Sequence, residues 1–318
     1  MIELMYTLST AFPITLAALG AGIGQGLIGF KSLQAVNTQP HASGEIGRIS
    51  LIGMALTETS AILGLVISII LLLNSSVPIN YTYASYGKIG ISFAIGLTSF
   101  IAGIASSLPA QAACFSVARQ PFFSNKILQL MLLTQSIIVT PNIFGFIIAL
   151  LINIKLSTVD SLNGGLQLLA AGISIGVGSI GPCIGLSLFA KSACTAIGRN
   201  RKSYNKILPF TFICEGIIET PVIFSLLIAL LILNTNINSN ESSIQGIAFL
   251  AAALSMSLST IGTGISAGRV GSAACKEIGK ASDIYHIVSK VGLLALAMID
   301  TFAIYGLIIA AIILVYAI

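Results

Sequence analysis

The sequence has no tryptophan and only 2 histidines, and charged residues fill just 8 % of its 318 positions. A chain of this length with so little charge cannot cover a water-soluble globule with polar surface. Apolar residues make up 56 % of it, and the mean hydropathy of +1.01 marks an integral membrane protein. A phosphate-binding Walker loop, a zinc-ligand spacing and a nucleophile elbow are all missing, and His41 and His286 stand in separate connecting regions. No covalent chemistry, cofactor or bound metal is therefore expected. The 5 cysteines, Cys114, Cys183, Cys194, Cys214 and Cys275, are odd in number, lack any CxxC pair and fall in or beside apolar segments. They read as small apolar helix residues and not as a disulfide framework. The leader Met1–Ser9 holds Glu3 but no Lys or Arg, so a cleavable signal peptide is not expected and the first helix should stay.

Apolar segments run approximately over 9–35, 49–73, 88–115, 127–153, 162–190, 207–233, 244–272 and 290–316. Each is long enough to cross a bilayer, which predicts an all-α membrane protein of eight transmembrane helices. The net charge of +5 would fit a nucleic-acid binder, but thirteen of the fifteen Lys and Arg residues flank the loops after helices 1, 3, 5 and 7. Only Lys88 and Lys155 belong to the other side. The positive-inside rule makes those four loops cytoplasmic, puts both termini on the opposite face, and accounts for the charge without a nucleic-acid partner. A multi-pass position in a bacterial inner membrane or an equivalent energy-coupling membrane is expected.

The most informative stretch is 49–73, an apolar run with one acid, Glu58, near its middle. At 1.5 Å per residue the run is about 37 Å long, so Glu58 should sit near mid-membrane. An ionisable group there costs at least about 2.5 kcal/mol on insertion scales. It is either a neutral acid hydrogen-bonded to a neighbouring helix or a functional group, and the rest of the chain repeats the arrangement.

Aligning the helix pairs on their loops places Glu58, Val139, Glu219 and Asp300 in equivalent positions, separated by 81, 80 and 81 residues. Each is followed by threonine: Thr59, Thr140, Thr220 and Thr301. Six residues beyond each of the four positions stand Gly64, Gly145, Ser225 and Gly306. The period is a two-helix unit used four times, giving hairpins 1–78, 79–158, 159–240 and 241–318. An even number of crossings per unit gives all four the same orientation, unlike an inverted repeat.

The first helix of each pair repeats a run of small residues. Gly20, Gly22, Gly24 and Gly26 correspond to Ile101, Gly103, Ala105 and Ser107, then Gly181, Cys183, Gly185 and Ser187, then Gly262, Gly264, Ser266 and Gly268. Residues two apart point to different sides of a helix, so the run makes two small faces and allows close approach from both flanks. Such a pattern suits helices crowded into a closed ring.

These residues resemble the proteolipid c subunits of rotary ATP synthases and ATPases. Gly20-Ala-Gly-Ile-Gly-Gln-Gly26 is similar to the glycine-rich inner helix, Thr38-Gln39-Pro40 to the Arg-Gln-Pro loop, and Leu56-Thr-Glu-Thr-Ser60 with Gly64 to the ion-carrying outer helix. The second loop is Arg119-Gln120-Pro121; the third, Gly198-Arg199-Asn200, and the fourth, Gly279-Lys280, resemble vacuolar-type loops. The resemblance covers essentially the whole chain and implies four fused hairpins assembling into a rotor ring with further copies. It implies inner helices lining the centre and outer helices facing lipid and a stator a-type subunit that bears a cation. The loop residues Gln39, Pro40, Arg119, Gln120, Pro121, Arg199, Asn200 and Lys280 would dock a central stalk. Glu58, Glu219 and Asp300 would each carry one ion, neutral as COOH or with Na⁺ bound while passing lipid, and ionised at an aqueous half-channel. The chain itself would be a non-catalytic subunit with no cofactor beyond the transported H⁺ or Na⁺.

Val139 has no ionisable group, so the second hairpin is a degenerate site. Gln135 and Glu215 occupy matching places one turn before Val139 and Glu219. Glu215 is either a second ligand or a neutral acid hydrogen-bonded to backbone, and the second is favoured. Sodium binding in the resembled family uses an inner-helix glutamine, an outer-helix glutamate and a following hydroxyl. Gln25, 33 residues before Glu58, and Thr59 fit this, whereas the same spacing gives Ser106, Leu186 and Ala267 elsewhere. Thr220 and Thr301 can serve either ion, and the balance favours protons. Arg269, in the fourth inner helix, is left with three readings: snorkelling, pairing with an acid, or facing the ring lumen. The competing reading of the whole chain is an eight-helix secondary transporter or channel with the acids as a relay; a third is a structural ring-filling copy.

Overall fold

A computed structural model describes residues 2–73, 81–237 and 244–316. The hairpin boundaries at 78/79 and 240/241 lie outside the described residues. The described residues are helical almost throughout, with eight helical spans long and apolar enough to cross a membrane. The helices are α1 (Ile2–Thr38), α2 (Ser43–Leu73), α3 (Tyr81–Ile91), α4 (Thr98–Arg119), α5 (Ser124–Lys155), α6 (Leu162–Gly178), α7 (Ile180–Arg199), α8 (Tyr204–Asn234), α9 (Ile244–Lys280) and α10 (Tyr285–Tyr316). Two inner spans are interrupted, which apolar runs alone do not foretell. A π-helical stretch, Ser92–Leu97, joins α3 to α4, and Ser179 separates α6 from α7. Gly96 in the π stretch lies against Pro13 of α1, so the irregular turn of one span packs beside the proline turn of its neighbour.

The same turn closes each hairpin. Gln39, Gln120, Asn200 and Ala281 leave their helices with φ of −145°, −138°, −139° and −139°, and each is followed by one turn of 3₁₀ helix. Proline opens that turn in the first two loops, where its fixed φ suits an N-terminal helical position. In the third, the Asn200 side chain accepts from Lys202 N at 3.0 Å.

The hairpins stand side by side in two rows. In the inner row α1 packs on α4, α4 on α7 and α7 on α9; in the outer row α2 packs on α5, α5 on α8 and α8 on α10. Bonds between neighbouring hairpins join residues nearly one repeat apart: Asn142 to Ser60, Gln120 to Gly198, and Ser192 to Ser272. The buried face of α2 carries Ser50, Gly53, Thr57, Ser60, Gly64 and Ser68 together with Ile46, Ile49, Ile67 and Leu71, while Leu51, Leu72 and Leu73 lie exposed. Small residues thus let the helices approach closely, and large aliphatic side chains both fill the seams and face outward. The row has two open ends: the second and third inner spans are 67 % and 72 % buried, but the first and the last of the eight spans only 33 % and 22 %.

The inner row shows why the small residues alternate. A methyl group on Gly20 or Gly24 would strike the backbone of Phe100 and Gly103, and one on Gly181 or Gly185 would strike Ile261 and Gly264. One small face of each inner helix therefore packs on the opposite small face of the next. At the ends the halves are unmatched: Gly22, Gly26 and Gly29 of α1 and Gly262 of α9 face open space.

Candidate ion-carrying site

Glu58, Val139, Glu219 and Asp300 lie at equivalent places on the four outer spans, α2, α5, α8 and α10. Glu58 is exposed, whereas Val139, Glu219 and Asp300 are half-buried. The difference follows from the row: hairpins 2 to 4 each have a preceding hairpin against their acid position, and hairpin 1 has none. Each following threonine turns its hydroxyl onto its own helix: Thr59 donates to Leu56 O (2.7 Å), Thr140 to Ser136 O (3.3 Å), Thr220 to Gly216 O (2.9 Å) and Thr301 to Met298 O (2.6 Å). The threonine whose hydroxyl stands beside the Glu219 carboxyl is Thr140 of the preceding hairpin. Adjacency in sequence pairs Glu219 with Thr220; the packing of α8 on α5 pairs it with Thr140.

Gln25 reaches the outer helix of its own hairpin, its Nε2 donating to Met54 O at 3.2 Å, one turn before Glu58. Ser106, at the same spacing in hairpin 2, instead meets Thr57 of hairpin 1 at 3.2 Å. Leu186 and Ala267 are buried and offer no side-chain oxygen at that place.

The seam beside the degenerate site is held by amides. Gln135 Nε2 donates to Gly53 O (2.7 Å) and lies 3.3 Å from Thr57 Oγ1, and Asn142 Nδ2 donates to Ser60 Oγ at 2.7 Å. Gln135 and Asn142 are both buried, seven residues apart on one face of α5. Sequence reasoning missed Asn142 with its partner Ser60, and the contact of Gln135 with Thr57, although the seven-residue spacing of two amides in an apolar helix is a visible signal. Glu215, at Gln135's place in hairpin 3, is fully buried, and neither carboxyl oxygen accepts a hydrogen bond. Neither oxygen has a hydrogen-bond partner, so the backbone bond expected for it is not formed.

At the loop end, Arg119, Gln120, Pro121, Arg199 and Asn200 line a groove of about 560 Å³ together with Phe122, Phe123, Arg201 and Lys202. Gln120 also ties the two loops together through Nε2 to Gly198 O at 3.0 Å. Gln39 and Pro40 form the separate first loop, and Lys280 pairs with Glu277 at 2.7 Å. The five cysteines are free and buried. Among the described residues no group of three or more His, Cys, Asp or Glu is placed to hold a metal ion.

The geometry, a row of like hairpins with one carboxyl position per outer helix, can be compared with known proteins. The family of ATP synthase C subunits matches the chain four times, at residues 8–71, 89–152, 169–232 and 250–313. The K subunit of the A-type ATP synthase of Methanocaldococcus jannaschii is 28 % identical over 231 residues, 72 % of this chain and 95 % of that protein. The ATP synthase c subunit of Alkaliphilus oremlandii is 51 % identical over 57 residues, 18 % of this chain and 65 % of that protein. That of Chloroflexus aurantiacus is 40 % identical over 68 residues, 21 % of this chain and 90 % of that protein. With four matches in tandem along an all-helical membrane fold, the chain belongs to the family of ATP synthase C subunits, as a fused four-hairpin c/K protein.

Proposed function

We propose that copies of this chain close head to tail into a rotor ring and that Glu58, Glu219 and Asp300 carry protons past a stator in turn. The observation that carries this reading is the mismatch of the two ends. Inside the chain, positions 20 and 24 of one inner helix pack on the opposite small face of the next, as Gly20 and Gly24 do on α4. The free flank of α1 offers Gly22, Gly26 and Gly29, and the free flank of α9 offers Gly262. A second copy supplies the missing half at both ends, and a head-to-tail interface of this kind closes into a ring when its rotation allows. The same contact would cover Glu58 and bring it the Thr301 hydroxyl of the preceding copy, completing a site built as Glu219's is.

Each acid then travels past lipid in the neutral form, because ionised carboxyls are costly in hydrocarbon. At an aqueous half-channel facing a stator cation it releases its ion, and unequal occupancy on the two sides becomes rotation. Protons are favoured over sodium because Leu186 and Ala267 give hairpins 3 and 4 no inner-helix oxygen. The chain carries ions without catalysing a reaction; ATP chemistry belongs to the attached head. The basic loops face the cytoplasm in this reading, both termini lie opposite, and the groove between loops 2 and 3 receives the stalk. A relay inside one chain fits less well, since the acids stand side by side at one level of the outer row instead of stacking along a path.

Imaging the purified complex in lipid tests the proposal. A closed ring with a central opening is expected; a solitary eight-helix body would overturn it.

A further inference from the structure

We propose that the loop end of the cleft between α7 and α9 binds the phosphate of an anionic phospholipid, once per chain. The cleft has a volume of about 250 Å³, and Leu188, Lys191, Ser192, Arg199, Ser272 and Lys276 line it. The three cations are exposed, and no carboxylate lines the space. Glu277, next to Lys276 in sequence, turns to the other flank, where it bonds Lys280. Ser192 Oγ and Ser272 Oγ lie 2.6 Å apart between the helices. The pair holds two protons and uses one between them, so one hydroxyl is left to donate into the cleft. Three like charges with no counter-charge repel one another, and a phosphate diester both neutralises them and accepts the spare hydroxyl.

The cleft fits a lipid better than a soluble phosphate because one end is apolar. Leu188 lines it, and Ile184 and Ile265 continue the same face away from the loops, half-exposed. Arg269 stands on that face seven residues before Lys276 and is exposed, a fourth cation within reach of the same headgroup level. This placement accounts for the arginine that the sequence left with three readings. Hairpins 1 and 2 have Phe30 and Gln111 where hairpin 3 has Lys191, and Gln34 and Phe115 where hairpin 4 has Lys276, so the clustering belongs to the seam between hairpins 3 and 4.

The test is native mass spectrometry of the assembled protein after exchange into mixed micelles of phosphatidylglycerol and phosphatidylcholine, with inorganic phosphate added in a parallel arm. The parent should retain phosphatidylglycerol, one per chain. A cation near an anionic headgroup contributes about a fivefold factor in affinity, so Lys191→Gln with Lys276→Gln should weaken retention about 25-fold. The variant with arginine at both places should restore it, which separates charge from packing. Equal retention of phosphatidylcholine, or unchanged retention in the double glutamine variant, overturns the proposal. Displacement of the lipid by millimolar phosphate assigns the cleft to a soluble anion and overturns it as well.

Discussion

The hydroxyl of Thr140, which donates to Ser136 O of its own helix at 3.3 Å, stands beside the carboxyl of Glu219, one hairpin further along the chain. A hairpin that carries no acid thus contributes a side chain beside the acid of the next one. Thr140→Val keeps the shape and removes the hydroxyl, which an ionised Glu219 would draw into a hydrogen bond. A hydrogen bond of this kind contributes about 0.5 to 1.5 kcal/mol, which changes ion occupancy at Glu219 by about two- to tenfold. The rate at which a carboxyl-directed carbodiimide labels Glu219, measured against Asp300 in the same protein, reports this. An unchanged ratio would refute a site shared between hairpins.

Carbodiimide labelling also bears on the ion. Such reagents attack protonated acids reachable from lipid, so Glu58, Glu219 and Asp300 are expected to react and Val139 to stay unmarked. Sodium at neutral pH should give no protection. Protection restricted to Glu58 would assign sodium to the one hairpin with Gln25, and protection at all three acids would reverse the proton assignment.

The two acids of α8 should separate cleanly under substitution. Glu219→Gln keeps volume and hydrogen bonding but cannot ionise, so ion-driven ATP synthesis should fall to background while the ring still assembles. Glu215→Gln should retain activity, because glutamine already occupies that place in hairpin 2, where Gln135 donates to Gly53 O of the preceding hairpin. Near-normal synthesis in Glu219→Gln contradicts the requirement that every carboxyl pass the stator. Loss of synthesis in Glu215→Gln would make Glu215 part of the ion path.

The amide seam has its own consequence for stability. Interhelical polar bonds in membranes average about 0.6 kcal/mol and reach about 1.7 kcal/mol, so Gln135→Leu with Asn142→Leu should loosen hairpin 2 from hairpin 1 by about 1 to 3 kcal/mol. Unfolding of the detergent-solubilised protein in a denaturing-detergent titration measures it. No shift in the midpoint would mean that these buried amides find equivalent partners in the unfolded state.

Much of this was legible because membrane burial writes itself into composition. The period from Glu58 to Asp300 and the small residues from Gly20 to Gly26 are strong signals: hydrocarbon penalises charge, and close helix contact penalises bulk. What the sequence concealed depends on rotation between neighbours. The pairing of Thr140 with Glu219 requires knowing which flank of α5 meets α8, and spacing along one helix does not specify that. The π-helical stretch Ser92–Leu97 carries no proline of its own; the proline lies across the seam, at Pro13 of α1. Arg269, one charge in an apolar run, shares the exposed face of α9 with Lys276, and the run alone does not specify what that face meets.

In the proposed ring Val139 would set the coupling ratio, since a ring made only of this chain would carry three carboxyls for every four hairpins. In that assembly an attached head would fix the ATP made per turn, so fewer ions per turn would demand a larger driving force per ion. Val139→Glu should restore a fourth carrier. The local structure is suited to it: the repeat places Thr59 before Val139 as Thr140 stands before Glu219, and Val139 is half-buried, as Glu219 is. Four carriers in place of three raise the ions per ATP by one third, so the gradient at which synthesis and hydrolysis balance should fall to three quarters of the parent value. The measurement compares that balance point in vesicles holding parent and variant rings, with carbodiimide labelling at position 139 as proof that the new acid titrates. An unmoved balance point beside a reactive new carboxyl would sink the one-acid, one-ion reading.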